Sequence, residues 1–124
     1  MNWNRALSLG VICVGTLFAF TAPARAFTGM ELAYACMSNL PEVKSDKHHT
    51  KENAGLCNAY ITGWDDARFA FLQGTRTFCP PNPPATSKES SIVFLDYVAS
   101  HKEIEELPAA EALMMAFKNK WPCQ

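Results

Sequence analysis

The chain has 124 residues, 48% of them hydrophobic and 19% charged, with a formal net charge of −1. One domain fits that length and two do not. Nucleic acid is excluded as a partner, since phosphate recognition needs a basic surface and the chain carries no basic run.

Arg5 precedes a mainly apolar run from Ala6 to Phe20, and Ala24, Arg25 and Ala26 form the small-x-small pattern cut by signal peptidase. The run is about 15 residues long where a bilayer crossing needs ~20. Residues 1–26 therefore read as a removable export signal, with no membrane anchor left after its removal. Cys13 follows the bulky Ile12, which disfavours a lipid-attachment site. What remains, residues 27–124, has nine basic and twelve acidic residues, a formal charge of −3. A domain of this size buries only about 60–65% of its unfolded surface, so its core needs covalent support. Four cysteines, Cys36, Cys57, Cys79 and Cys123, supply it as two disulfides. Zinc would want close Cys-x-x-Cys pairs, whereas at least twenty residues separate neighbouring cysteines here.

The first helical segment opens at Thr28, where Thr28 and Glu31 form a capping box, and Pro41 ends it. Leu32, Ala35, Cys36 and Leu40 supply its apolar face. A charged linker with His48 and His49 follows. The second segment, residues 51–74, places Cys57, Tyr60, Ile61, Trp64, Arg68, Phe71 and Leu72 on one face. Beside them runs a stripe of small residues, Ala59, Gly63, Ala67 and Ala70. Glycine in a helix interior costs about 1 kcal/mol, so Gly63 predicts a second helix packed closely against it.

Four prolines between Pro80 and Pro84 forbid a helix and give a stiff extended connector. Thr86 and Glu89 open the third segment with a second capping box, and its apolar face reads as Ile92, Leu95, Val98 and Ala99. Residues 101–106, His-Lys-Glu-Ile-Glu-Glu, form a charged turn. Pro108 starts the fourth segment, with Leu113, Phe117 and Trp121 in a stripe. The fold class is all-α: a helical hairpin plus two further helices, stapled by two disulfides. If the first two helices lie antiparallel across their linker, Cys36 and Cys57 are level, which favours Cys36 with Cys57 and Cys79 with Cys123. Three connectivities remain formally open.

No constellation supports catalysis. Asp65 and Asp66 are adjacent and on a helix point about 100° apart, so they do not converge on one bond. Asp65 and Arg68 form an i,i+3 ion pair at the core edge, while Asp66 is left as a candidate for partner contact. His48 and His49 are neighbours in a charged linker, a pattern that rarely converges on one ion, and read as a solvated linker. His101 follows a helix C-terminus, where the dipole favours it. Met30, Met37, Met114 and Met115 read as gap-filling core. No cofactor or metal site is read.

The ordered set Leu32 and Cys36, then Cys57, Tyr60, Ile61, Gly63 and Asp66, then Phe78, Cys79 and Pro81, then Tyr97, His101 and Glu103, then Trp121, Pro122 and Cys123 resembles the Rap/Tai family of type VI secretion amidase-immunity proteins. The resemblance covers nearly all of residues 27–124 as one domain. It implies a periplasmic, disulfide-stapled helical protein, often a homodimer, that binds a peptidoglycan amidase effector and blocks its active site partly by inserting a loop between helices. The counterpart of that loop is residues 101–106. His101, Lys102, Glu103, Glu105 and Glu106 are then the expected partner-binding residues, with the glutamates adding charge-assisted contacts at a cleft rim. The alternative reading is a periplasmic stress or chaperone-like module of the same fold, releasing apolar surface when acid protonates its carboxylates.

Overall fold

The structure, a computed structural model, describes residues 25–43, 47–71 and 77–124. All but the last two residues of the export signal lie outside them, as do Leu72 and the expected end of the second segment. Four helices are present: α1 (Gly29–Cys36), α2 (Lys51–Phe71), α3 (Ser87–Ser100) and α4 (Ala109–Lys120). Short 3₁₀ turns span Met37–Asn39 and Lys102–Ile104. Among the described residues there is no strand, only an isolated bridge between Thr28 and Pro108. The all-α fold with two disulfides is thus the observed one.

Both capping boxes form. Thr28 Oγ1 accepts from the Glu31 amide at 3.2 Å while the Thr28 amide donates to Glu31 Oε2 at 2.9 Å. Thr86 and Glu89 repeat the exchange at 3.2 and 2.7 Å. These exchanges satisfy amides that a helix start otherwise leaves without partners. Thr50 does the same for α2, accepting from the Asn53 amide through its hydroxyl at 3.2 Å.

Every helix contributes to one core. α1 gives Leu32, Ala35 and Cys36; α2 gives Cys57 and Ile61; α3 gives Phe94 and Val98; α4 gives Ala112, Leu113, Ala116 and Phe117. Cys36 bonds to Cys57 and Cys79 to Cys123, with Cα atoms 5.0 Å apart in both pairs. Closing loops with sequence separations of 21 and 44 is worth about 3.4 and 4.0 kcal/mol on the chain-entropy relation. Those amounts are large beside a total stability of roughly 5–15 kcal/mol.

The second helix departs from its expected packing. At 21 residues α2 is ~31 Å long, against ~12 Å for the 8 residues of α1 and ~21 Å for the 14 of α3. Phe71, expected in the core, is 86% exposed, and Phe69 is 77% exposed. Gly63 has no packed neighbour: a Cβ built there meets nothing within 4 Å. Among the described residues no helix packs closely against it.

On α3 the buried stripe is Ser91, Phe94 and Val98, while Ile92 and Leu95 are half-buried and Ala99 is exposed. Ser91 tolerates full burial because its hydroxyl donates to the Lys88 carbonyl at 2.7 Å and accepts from Asn39 Nδ2 at 3.1 Å. Asn39 also donates to Asn58 Oδ1 at 2.9 Å, so one amide ties the α1–α2 region to α3. Met114 and Met115 pack partly against the core, but Met30 and Met37, expected inside, are exposed.

Candidate functional site

The α3–α4 turn is a charged segment held against the core. His101 ends α3, its ring stacked on Tyr97 at 3.9 Å between centroids. Nδ1 lies 3.0 Å from the Tyr97 carbonyl, a contact made by an N–H donating to the last turn of the helix. Ile104 is the only apolar side chain in residues 101–106, and it is fully buried. Its burial converts a run that reads as solvated into a clip on the core.

The same turn completes the start of α1. The Gly29 amide donates to the Leu107 carbonyl at 2.8 Å and the Met30 amide to the Glu105 carbonyl at 2.9 Å. With Thr28 Oγ1 serving Glu31, the first amides of α1 all have acceptors. Approach is close enough to require glycine at position 29: a Cβ there would stand 2.5 Å from the Ile104 carbonyl oxygen and 3.2 Å from Ala112 Cβ. The Ala109 amide donates to the Phe27 carbonyl at 2.7 Å, fastening the start of α4 to the same strap.

This anchoring sorts the expected site residues. Lys102 Nζ donates to Glu105 Oε1 at 2.9 Å, and the Glu105 side chain is only 18% exposed. Glu105 is therefore engaged within the turn by both its side chain and its carbonyl. Lys102, Glu103 and Glu106 remain exposed, and His101 is half-buried. A small cleft of about 160 Å³ adjoins the turn, lined among others by Asp96, Tyr97, His101 and Lys120.

Asp66 stands elsewhere. It lines a cleft of about 180 Å³ between α2 and the N-terminal end of α3, with Asp65, Phe78, Pro84, Ser87 and Trp121. Ser87 and His101 are at opposite ends of α3, ~21 Å apart along its axis, so the structure does not bring Asp66 together with residues 101–106. The expected Asp65–Arg68 pair is present, with Arg68 donating through Nη2 at 2.8 Å and Nε at 3.2 Å to the same carboxylate oxygen. The Arg68 guanidinium also lies 4.3 Å from the centroid of Phe78. Phe78, Trp64, Phe117 and Trp121 form one aromatic cluster, with neighbouring centroids 5.2–6.3 Å apart.

In the linker, the His48 carbonyl accepts from Asn53 Nδ2 at 2.7 Å and His49 lies against Tyr34, 6.0 Å between ring centroids. Among the described residues no group of three His, Cys, Asp or Glu side chains gathers as a metal site. None of their helices is long and apolar enough to cross a membrane. Met30 and Tyr34 on α1 and Met37 in the 3₁₀ turn that follows it are exposed, which periodicity had not indicated.

The fold defines a disulfide-stapled helical domain that presents an anchored, charged turn. The family model of the Rap1a immunity proteins matches residues 28–123, and the chain belongs to that family. No curated protein and no solved structure matches the chain significantly. The matched span runs from the α1 capping threonine to the last cysteine, so it contains all four helices and both disulfides.

Proposed function

We propose that the chain is a periplasmic immunity protein, exported by its N-terminal signal, that binds and inhibits a type VI secretion peptidoglycan amidase and has no catalytic activity of its own. Membership of an immunity family supports the binding role, and the two disulfides suit an oxidising compartment. The observation that carries the reading is the α3–α4 turn: Ile104 and the two α1 amides hold its backbone while Lys102, Glu103 and Glu106 face solvent.

Holding the turn in place before the encounter removes ordering entropy that a flexible loop would lose on binding. Glu103 and Glu106 then supply charge-assisted contacts to cationic or amide groups at an active-site rim. His101, through its hydrogen bond to the Tyr97 carbonyl of α3, and Glu105, through its bond from Lys102, act as positioning residues. The test uses an amidase encoded beside this chain. A stoichiometric complex that suppresses hydrolysis of peptidoglycan peptides is expected, and an amidase that neither binds nor slows overturns the reading.

A further inference from the structure

The cleft beside Asp66 has the chemistry of a cation site. Phe78, Phe117 and Trp121 are among its lining, the two phenylalanines themselves only 3% exposed, and among the described residues its charged lining is two aspartates. At about 180 Å³ it is smaller than the roughly 300–1,000 Å³ of small-molecule sites, and it suits one side chain.

The molecule already shows how a cation sits on this cluster. Arg68 lies over Phe78 at 4.3 Å while bonded to Asp65 at 2.8 Å, an aromatic face and a carboxylate sharing one guanidinium. Phe78 also lines the Asp66 cleft. Asp65 is thus neutralised from within, whereas Asp66 has no hydrogen bond or ion pair among the described residues. The N-terminus of α3 would favour an anion nearby, but its first turn already holds the Glu89 carboxylate in the capping box. Asp66 is therefore a surplus negative charge beside an aromatic cluster.

We infer that this cleft receives a lysine or arginine side chain of a protein partner, with Asp66 as its counter-ion and the Phe78–Trp121 cluster as its apolar wall. Assigning that side chain to the amidase rests on the function proposed above; the chemistry of the cleft does not. The ~21 Å between the ends of α3 lies within the span of a standard interface of about 800 Å² per partner, so one partner can reach both the turn and the cleft.

The test is a nuclear magnetic resonance titration of the disulfide-bonded protein with N-acetyl-lysine methylamide and, separately, with its uncharged norleucine counterpart. Saturable amide shifts centred on Thr62, Asp66, Ala85 and Ser87 are expected with the lysine probe. Affinity for norleucine should be up to about fivefold weaker, the scale of one exposed ion pair. Asp66→Asn should reduce the lysine response to the norleucine level, while Asp66→Glu should retain part of it. Equal responses to both probes, shifts elsewhere on the surface, or no saturable shift would each overturn the inference. Because no amidase enters this experiment, its failure leaves the proposed inhibition to be judged on its own assay.

Discussion

Replacing Gly29 with alanine tests the joint between α1 and the α3–α4 turn. The new Cβ would lie 2.5 Å from the Ile104 carbonyl oxygen, whereas carbon and carbonyl oxygen normally approach no closer than about 3.3 Å. Relief therefore requires a displacement of nearly 1 Å by backbone, which a flexible side chain could have made cheaply and a core-anchored turn cannot. Overpacking of this kind costs about 1–3 kcal/mol. If the turn yields, the Gly29–Leu107 and Met30–Glu105 hydrogen bonds lengthen as well, each worth about 0.5–1.5 kcal/mol. The expected loss is about 2–4 kcal/mol in urea unfolding with an unchanged slope, or a melting point lower by at least 8 °C for a domain of this size. Gly63→Ala provides the opposite sign. Nothing lies within 4 Å of a Cβ there, so the better helix former should raise stability by about 0.5–1 kcal/mol. A Gly29→Ala protein within about 0.5 kcal/mol of the original would refute the packing argument for the turn.

Three further outcomes are expected. Ile104→Ala should cost about 2–5 kcal/mol in chemical unfolding, because the side chain is fully buried; a surface-like effect would mean that the turn is not anchored there. Replacing both Cys79 and Cys123 with alanine should cost about 2–5 kcal/mol and leave the Cys79 amide, which donates to the Trp121 carbonyl at 2.8 Å, exchanging faster with solvent. Bonds from the Thr28 and Thr86 backbone amides hold the Glu31 and Glu89 carboxyls below the ordinary value of 4.5. The stability they add is present above that value and disappears as pH falls through their lower folded values. Melting temperatures should therefore drop in acid below about pH 4.5, and Glu89→Gln should flatten that fall.

Much of the fold was legible because its signals are local. The two threonine–glutamate boxes mark the starts of α1 and α3, the proline run excludes a helix, and the short linker between the first two helices brings Cys36 level with Cys57. Where the reading failed, the deciding residues lie far apart in sequence. Phe71 falls on the apolar face of its own helix, but whether another element covers that turn is not written locally, and it is 86% exposed. Gly63 invited a partner helix that the arrangement of the other three does not supply. Ser91 and Asn39 are polar and so escape a hydropathy stripe; their mutual hydrogen bond, between residues far apart in sequence, helps each tolerate its burial.

The candidate site was legible in position and not in structure. Residues 101–106 stood out by charge, yet the lone Ile104 among them was the signal that the turn is clipped to the core, and Glu105 is engaged within it. Asp66 stood out as the aspartate left over from the Asp65–Arg68 pair, but its cleft is assembled from α2, the proline connector, α3 and the C-terminal tryptophan, which no local pattern connects.

Amidase inhibition by a Glu103→Lys, Glu106→Lys double variant tests the role of the turn most directly. Both side chains are exposed and outside the core, so folding and melting should be unchanged. Inhibition should weaken at least about tenfold, as expected when charge complementarity at an interface is reversed. Undiminished inhibition by a correctly folded variant would contradict the account and place the binding surface elsewhere on the molecule.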